Sequence, residues 1–118
     1  MTAASSPVLS VAATSLERRT RMLRTAMGPQ IAAALDDPDV VEVMLNPDGV
    51  LWMDRLSAGR AHLGTLVAAD GERIIRLVAA HVGQEVHRNK PLLSAELPGT
   101  GERFEGVLPP VVASPTFA

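Results

Sequence analysis

The 118-residue sequence contains no cysteine, which excludes disulfide scaffolds, thiol nucleophiles and cysteine-ligated zinc or iron–sulfur sites. It has one lysine, Lys90, beside ten arginines. A Walker A phosphate loop needs a lysine after a glycine-rich run, and Lys90 in Asn89-Lys90-Pro91 follows no such run. The sequence therefore carries no complete Walker A site.

Long apolar runs are also missing. No stretch reaches the roughly 18 to 20 apolar residues that a membrane span needs. No positive charge precedes the apolar run over residues 8–13, whereas a secretory signal has a positive charge before its apolar segment. We therefore expect a cytoplasmic protein with no transmembrane segment.

The composition is that of a folded domain, with 47% hydrophobic residues, 20% charged residues and a formal net charge of -2. The length fits one domain. Residues 1–14 are rich in Ala, Ser and Thr without a sustained period and are expected to form a flexible tail. We expect the domain over residues 15–110. Residues 111–118, which follow Pro109-Pro110, read as an interrupted interdomain linker.

Two helices are predicted before the first strand and one after the third strand. Ser15 is placed to cap the first helix, and Pro29 suits the start of the second. Asp70 is a plausible cap for a third helix over residues 71–81, which Gly83 ends. The residues expected on buried faces are Leu16, Met22, Leu23 and Met27 in the first helix, and Ile74, Ile75, Leu77, Val78 and Val82 in the third.

A β-hairpin over residues 40–54 is the most secure local prediction. Its first strand is a β-branched run with period two, and Pro47 and Gly49 suit the turn that follows. Further strands are expected at 61–66, 94–97 and 103–108. Because the connections between strands are too short for parallel crossovers, the sequence predicts an α+β fold, an antiparallel sheet with helices mainly on one face.

No self-contained active site or metal site is expected. The three histidines, His62, His81 and His87, lack the close spacing of a helical metal site. Acidic side chains over residues 36–39 most often bond to nearby backbone and stop helices. The Pro98–Gly101 segment indicates a compact turn, because neither a lysine nor a helix follows it.

Basic residues remain as candidates for binding. The guanidinium group of arginine is planar and permanently charged, so its donors can bind two phosphate oxygens at once. Arg103 is such a residue and lies at the start of a predicted strand. Spacing alone favours an ion pair of Arg103 with Glu102 or Glu105 over a phosphate contact. The arginine cluster of the first helix is either a solvent-exposed surface or a binding surface. In the second case it would bind a phosphate backbone, an anionic lipid surface or an acidic partner. The residues of this possible interaction surface are Arg18, Arg19, Arg21, Arg24, Arg88 and Lys90.

Three segments together resemble a known family. They are Asp37-Pro38-Asp39-Val40-Val41-Glu42-Val43-Met44-Leu45-Asn46-Pro47-Asp48-Gly49, Asn89-Lys90-Pro91-Leu92-Leu93-Ser94-Ala95-Glu96-Leu97-Pro98 and the Gly101–Pro110 segment. In this order they are similar to the amino-terminal domain of the type II/IV secretion ATPases, above all the P-type conjugative transfer ATPases. The resemblance covers roughly residues 16–117.

That resemblance implies a hexameric cytoplasmic motor, peripheral at the inner membrane, that powers conjugal DNA transfer and pilus assembly with ATP and Mg. Its partners are other subunits of the ATPase and proteins of the secretion channel. In the family, nucleotide lies between this domain and a RecA-like domain that holds the P-loop. Arg103 occupies the position of an arginine that approaches the nucleotide phosphates, so the resemblance favours the phosphate role.

The sequence departs from the family by stopping at Ala118. The P-loop lysine, the Walker B acid and a second arginine are absent, so we expect no tight nucleotide binding and no hydrolysis by this chain alone. The first hypothesis is a non-catalytic amino-terminal domain that contributes to the hexamer and to the edge of the nucleotide site. The second is a free-standing interaction module that binds nucleic acid or an acidic partner through its arginine-rich first helix.

Overall fold

A computed structural model describes residues 7–109 and 114–118 of the chain. It contains a six-stranded antiparallel sheet with strand order β3-β2-β1-β6-β5-β4. The helices of the described residues are α1 (Pro7–Met27), α2 (Pro29–Asp36) and α3 (Ala68–Val82). The strands are β1 (Val40–Leu45), β2 (Val50–Arg55), β3 (Gly59–Thr65), β4 (Leu92–Glu96), β5 (Arg103–Val107) and β6 (Thr116–Phe117).

The predicted hairpin is confirmed as β1 and β2, which pair in a register that puts Leu45 opposite Leu51. Both of these leucines are buried, and they share one face of the sheet because they lie directly opposite each other on paired strands. Gly49 closes the turn with a φ of 82°. A Cβ at this position would lie 2.9 Å from the backbone oxygen of Leu66. The turn therefore needs glycine for both its conformation and its packing.

The second short strand pair, β4 and β5, is also antiparallel, as predicted. The two-residue strand β6 joins this pair to the hairpin: Phe117 lies opposite Leu45 of β1 on one side and Gly106 of β5 on the other. The expectation that residues 111–118 form an interdomain linker is therefore wrong for Thr116 and Phe117. These residues are part of the sheet, and residues 110–113 lie outside the described residues.

Helix α1 begins at Pro7, eight residues before the predicted cap at Ser15. The expectation of a flexible tail over 1–14 is thus wrong from residue 7 onward, and residues 1–6 lie outside the described residues. Leu23 and Met27 are buried as expected, but Met22 is 54% exposed. Met22 is about 100° from Leu23 around the helix axis and so falls outside the buried stripe. Leu16, two turns before Leu23, is also exposed.

Helix α3 begins three residues earlier than predicted, with Val67 at its N-cap and no side-chain cap. The capping role predicted for Asp70 is wrong: this residue lies inside the first turn, and its carboxylate pairs with Arg73 at 3.3 Å. Gly83 ends the helix in the left-handed conformation, as predicted. Of the predicted buried stripe, Ile74, Ile75 and Val78 are fully buried, and Leu77 and Val82 are half-buried.

The core lies between the helices and one face of the sheet. Among the described residues it contains no buried polar or charged side chain. The core residues are Leu23, Met27, Ile31, Leu45, Leu51, Ile74, Ile75, Val78, Ala79, Val86, Leu93, Leu97, Phe104, Leu108 and Phe117. The predicted α+β class and the placement of the helices are confirmed. The second face of the sheet is left without a helix among the described residues.

Candidate functional site

Arg103 is the first residue of β5 and lies at the rim of a groove of about 470 Å³ between β1, β5 and α2. Its side chain is 81% exposed. The guanidinium donates to Glu105 Oε1 from Nε at 3.0 Å and from Nη2 at 2.8 Å. The ion pair that spacing favoured is present, and it forms within one strand because residues two apart share a face.

A second contact fixes the carboxylate of Glu105. Ser94 on β4 donates from its hydroxyl to Glu105 Oε2 at 2.5 Å, across the strand pair that places these two residues opposite each other. The pKa of Glu105 is lowered, first by this hydrogen bond and then by Arg103. Glu105 is therefore a charged counter-ion of Arg103 at neutral pH, and any phosphate group must compete with it for the guanidinium.

The charges around the groove are mostly negative. Glu42, Glu102 and Glu105 line it beside Arg103, the one basic residue of its lining. Its other lining residues are apolar: Met27, Ile31, Ala34, Leu35, Val40, Val41, Val43, Leu97, Phe104, Phe117 and Ala118. A triphosphate meets a local excess of negative charge at this groove, so Arg103 alone is a weak phosphate site.

The arginine cluster of α1 divides into two kinds of side chain. Arg24 makes a bidentate pair with Asp36 of α2, at 3.0 and 2.9 Å, and this hydrogen bonding raises the pKa of Arg24. Arg18, Arg19 and Arg21 are exposed and have no ion-pair partner among the described residues. The predicted interaction surface on α1 thus keeps three free cations and loses Arg24 to a structural contact.

The remaining two candidates, Arg88 and Lys90, lie in the turn between α3 and β4. Backbone bonds between His87 and Lys90 close this turn, and both candidate side chains are exposed. Arg88 lines a small depression with Glu72, Arg76, Leu108 and Pro109. None of the six surface candidates lines the groove at Arg103. The structure therefore separates the predicted phosphate contact from the predicted interaction surface.

Two local interpretations made from the sequence are confirmed, those of the acidic side chains over residues 36–39 and of the Pro98–Gly101 turn. Asp37 accepts a bond from the backbone N–H of Asp39, and Asp39 accepts bonds from the backbone and hydroxyl of Ser57. The Pro98–Gly101 segment is a turn in which Gly101 donates to the Leu97 carbonyl. Within residues 7–109 and 114–118, no group of three metal-binding side chains is present. No helix there is long and apolar enough to cross a membrane.

Sequence reasoning missed two features of the groove. Ser94 was recognised only as a strand residue, although its alternation with Leu93 places it on the same sheet face as Glu105. The period of two predicted for this strand would place Val41 on the same face as Val43 and Leu45, yet Val41 is 59% exposed. The register shift in β1 between Val40 and Glu42 interrupts the strand pairing at this position. Local alternation does not reveal such a shift.

Curated relatives confirm the resemblance to secretion and conjugation ATPases. The chain is 50% identical to a probable conjugal transfer protein TrbB of Sinorhizobium fredii over 100 residues, or 85% of this chain and 31% of the relative. It is 45% identical to the TrbB protein of Rhizobium radiobacter over the same shares. The type IV secretion system protein VirB11 of Brucella suis is 36% identical over 71% of the chain and 23% of its own length.

The fold of this chain is also similar to that of a solved structure. The fold matches a crystal structure of the VirB11 ATPase from Brucella suis in complex with sulphate, with a TM-score of 0.75 and 25% identity over 88% of this chain and 31% of the other. No family model matches the sequence. The chain spans about a third of the length of the TrbB relatives. It therefore corresponds to a fragment of proteins of this kind.

Proposed function

Because the chain belongs with TrbB and VirB11 proteins in both sequence and fold, we propose that it is the amino-terminal, non-catalytic domain of a conjugative transfer ATPase. In this proposal it helps to form a hexamer in the cytoplasm, or at the inner membrane surface, as part of a type IV secretion channel. ATP and Mg act in the full-length protein, which powers conjugal DNA transfer and pilus assembly. This domain supplies one edge of the nucleotide site.

The observation that carries the proposal is 50% identity to TrbB over 85% of the chain, on a fold that matches a VirB11 ATPase. The position of Arg103 supports a role for this residue at the edge of the nucleotide site. Its guanidinium is exposed at the end of β5, and the Glu105 contact is open to solvent, where ion pairs are weak. A phosphate presented by a second domain can therefore replace Glu105 at moderate cost.

The test uses a form of the protein that carries the P-loop domain. We expect Arg103→Ala to lower kcat/KM for ATP, because a phosphate contact is lost, while Arg60→Ala serves as the matched control. Like Arg103, Arg60 is an exposed strand arginine paired with an acidic side chain, here Asp54 at 3.1 Å, but it lies on β3. Unchanged ATPase activity of Arg103→Ala would remove the phosphate role. A longer reading frame without a G-x-x-x-x-G-K-[ST] motif would count against the family-based function.

One observation favours a second candidate function, a module that binds nucleic acid or an acidic partner. Arg18, Arg19 and Arg21 are exposed cations on one helix and have no ion-pair partner within the described part of the chain. Phosphate contacts of this kind make affinity fall steeply with salt. We expect Arg18→Glu and Arg21→Glu to weaken any binding of duplex DNA, with Arg76→Glu as a control on α3. Salt-independent binding, or none, would remove this candidate.

A further inference from the structure

The carboxylate of Glu105 has a separate partner at each oxygen. Ser94 donates from its hydroxyl to Oε2 at 2.5 Å, and Arg103 donates to Oε1 from Nε at 3.0 Å and from Nη2 at 2.8 Å. The three side chains lie on the sheet face opposite the buried Leu93 and Phe104. Ser94 and Arg103 therefore contact the same carboxylate without competing for one oxygen.

The pairing of β4 with β5 explains why Glu105 is the partner of Arg103. This pairing places Ser94 opposite Glu105 and Glu96 opposite Arg103. Opposite side chains of an antiparallel pair begin about 5 Å apart, so the short serine side chain reaches Glu105. Glu96 is the carboxylate directly across from Arg103, yet the ion pair of Arg103 within the described part of the chain is with Glu105. The guanidinium thus pairs with the carboxylate that Ser94 orients.

The two partners of Glu105 differ in their freedom to move. The Arg103 side chain is 81% exposed, whereas Ser94 has a short side chain on a paired strand. The pKa of Glu105 is lowered, first by the Ser94 hydrogen bond and then by Arg103, so the carboxylate is charged at neutral pH. An exposed arginine loses an ion pair at little cost, because water solvates its charge. Arg103 can therefore leave Glu105 while Ser94 keeps the carboxylate in place.

We propose that Ser94 and Glu105 are positioning residues that weaken nucleotide binding by holding the guanidinium of Arg103 away from the phosphates until a nucleotide arrives. The proposal rests on the role of Arg103 in the proposed function. In the exchange the guanidinium leaves one anion for another, and no covalent bond changes. Since only molecules with a released Arg103 can contact phosphate, the pair with Glu105 reduces the apparent affinity by the fraction released.

The test measures steady-state ATP hydrolysis by the form of the protein that carries the P-loop domain. Glu105→Gln keeps the shape of the side chain and removes its charge. We expect it to lower KM for ATP about two- to fivefold, the range of an exposed ion pair, with kcat unchanged. Glu96→Gln is the matched control and should leave KM nearly unchanged, because it removes an equal charge opposite Arg103 that forms no ion pair among the described residues.

A second background shows whether the effect of Glu105 passes through Arg103. In an Arg103→Ala background, Glu105→Gln should no longer lower KM, because the two residues act through one contact. An unchanged KM in Glu105→Gln, or an equal fall in Glu96→Gln, would overturn this proposal alone as long as Arg103→Ala still lowers kcat/KM. Unchanged ATPase activity of Arg103→Ala would overturn it together with the phosphate role of Arg103.

Ser94 is tested in the 118-residue chain without nucleotide. A carbon NMR titration of the Glu105 carboxyl should give a higher pKa in Ser94→Ala than in the wild type, because the donated hydrogen bond is lost. Ser94→Thr keeps a hydroxyl and should retain the lowered pKa. In the ATPase measurement, Ser94→Ala should lower KM by less than Glu105→Gln does. An unchanged pKa of Glu105 in Ser94→Ala would overturn the positioning role of Ser94.

Discussion

The rings of Phe104 on β5 and Phe117 on β6 stack with their centroids 5.6 Å apart and their planes 29° apart. Both side chains are buried. Phe117 also lies opposite Leu45 of β1, so one residue touches both halves of the sheet. Because β6 is only two residues long, this aromatic contact helps it to join the β1–β3 half of the sheet to the β4–β5 half.

Removal of the Phe117 ring should therefore destabilise the whole domain. We expect Phe117→Ala to lower the free energy of unfolding by about 3–5 kcal/mol, the range for a buried phenylalanine. Urea unfolding followed by circular dichroism measures this change. Phe117→Leu keeps an apolar side chain of similar reach and is the control, with a smaller loss. A loss below about 1 kcal/mol for the alanine variant would show that Phe117 does not hold the sheet together.

The sequence predicted most of the elements because their signals are local. The hairpin has a β-branched run with period two and a Pro47–Gly49 turn, and α2 has a proline start and an aspartate stop. Strand β6 was missed because its two residues, Thr116 and Phe117, are too few to show an alternation of apolar and polar side chains. They form a strand through pairing with β1 and β5, which lie far away in the sequence. The early start of α1 was missed because its first residues include Val, Ser and Thr, which are weak helix formers, and have no amphipathic period.

The candidate site was predictable in part. The sequence identified Arg103 and its pairing with Glu105, because residues two apart in a strand share a face. It did not reveal the groove beside Arg103, since that depends on β1 and β5, which lie about sixty positions apart in the sequence and, among the described residues, are joined in the sheet by β6. It also treated Arg24 as part of a free cluster, because its partner Asp36 lies on another helix.

The turn at Gly49 offers a test of local packing. Gly49 and Gly59 both have positive φ, at 82° and 69°, so alanine is strained at either position. Only Gly49 is crowded, with the Leu66 oxygen 2.9 Å from a new Cβ, whereas the Cβ position at Gly59 is open. We expect Gly59→Ala to cost about 1–2 kcal/mol from backbone strain and Gly49→Ala to cost more. Chemical denaturation of both variants gives the comparison, and equal losses would contradict the packing argument.

The bidentate pair of Arg24 and Asp36 should contribute to the docking of α1 on α2. We expect Arg24→Ala and Asp36→Ala each to lower Tm slightly, and the double variant to lower it less than the sum of the two, because they remove the same contact. Arg18→Ala, which removes an exposed cation without an ion-pair partner among the described residues, should leave Tm unchanged. Fully additive losses of Arg24→Ala and Asp36→Ala would show that the pair is not coupled.

His81 on α3 should make the stability of the domain depend on pH. Its pKa is lowered from the ordinary value of 6.5, first by burial and then by the charge of Arg19, and its buried Nδ1 has no hydrogen-bond partner among the described residues. The unfolded chain then binds a proton more readily than the folded one, so stability is full above pH 6.5 and falls as the pH drops below it.

Urea unfolding at pH 7.5 and at successively lower pH, down to about 5, measures this effect as a falling midpoint. His81→Phe, which cannot be protonated, should flatten the part of the pH dependence that begins near 6.5. His62 is exposed with its ring edge-on to Trp52 at 5.6 Å, and His62→Gln is the matched control that should keep the slope. An unchanged slope in His81→Phe would assign the acid sensitivity to another group, because removal of the responsible histidine must remove its proton linkage.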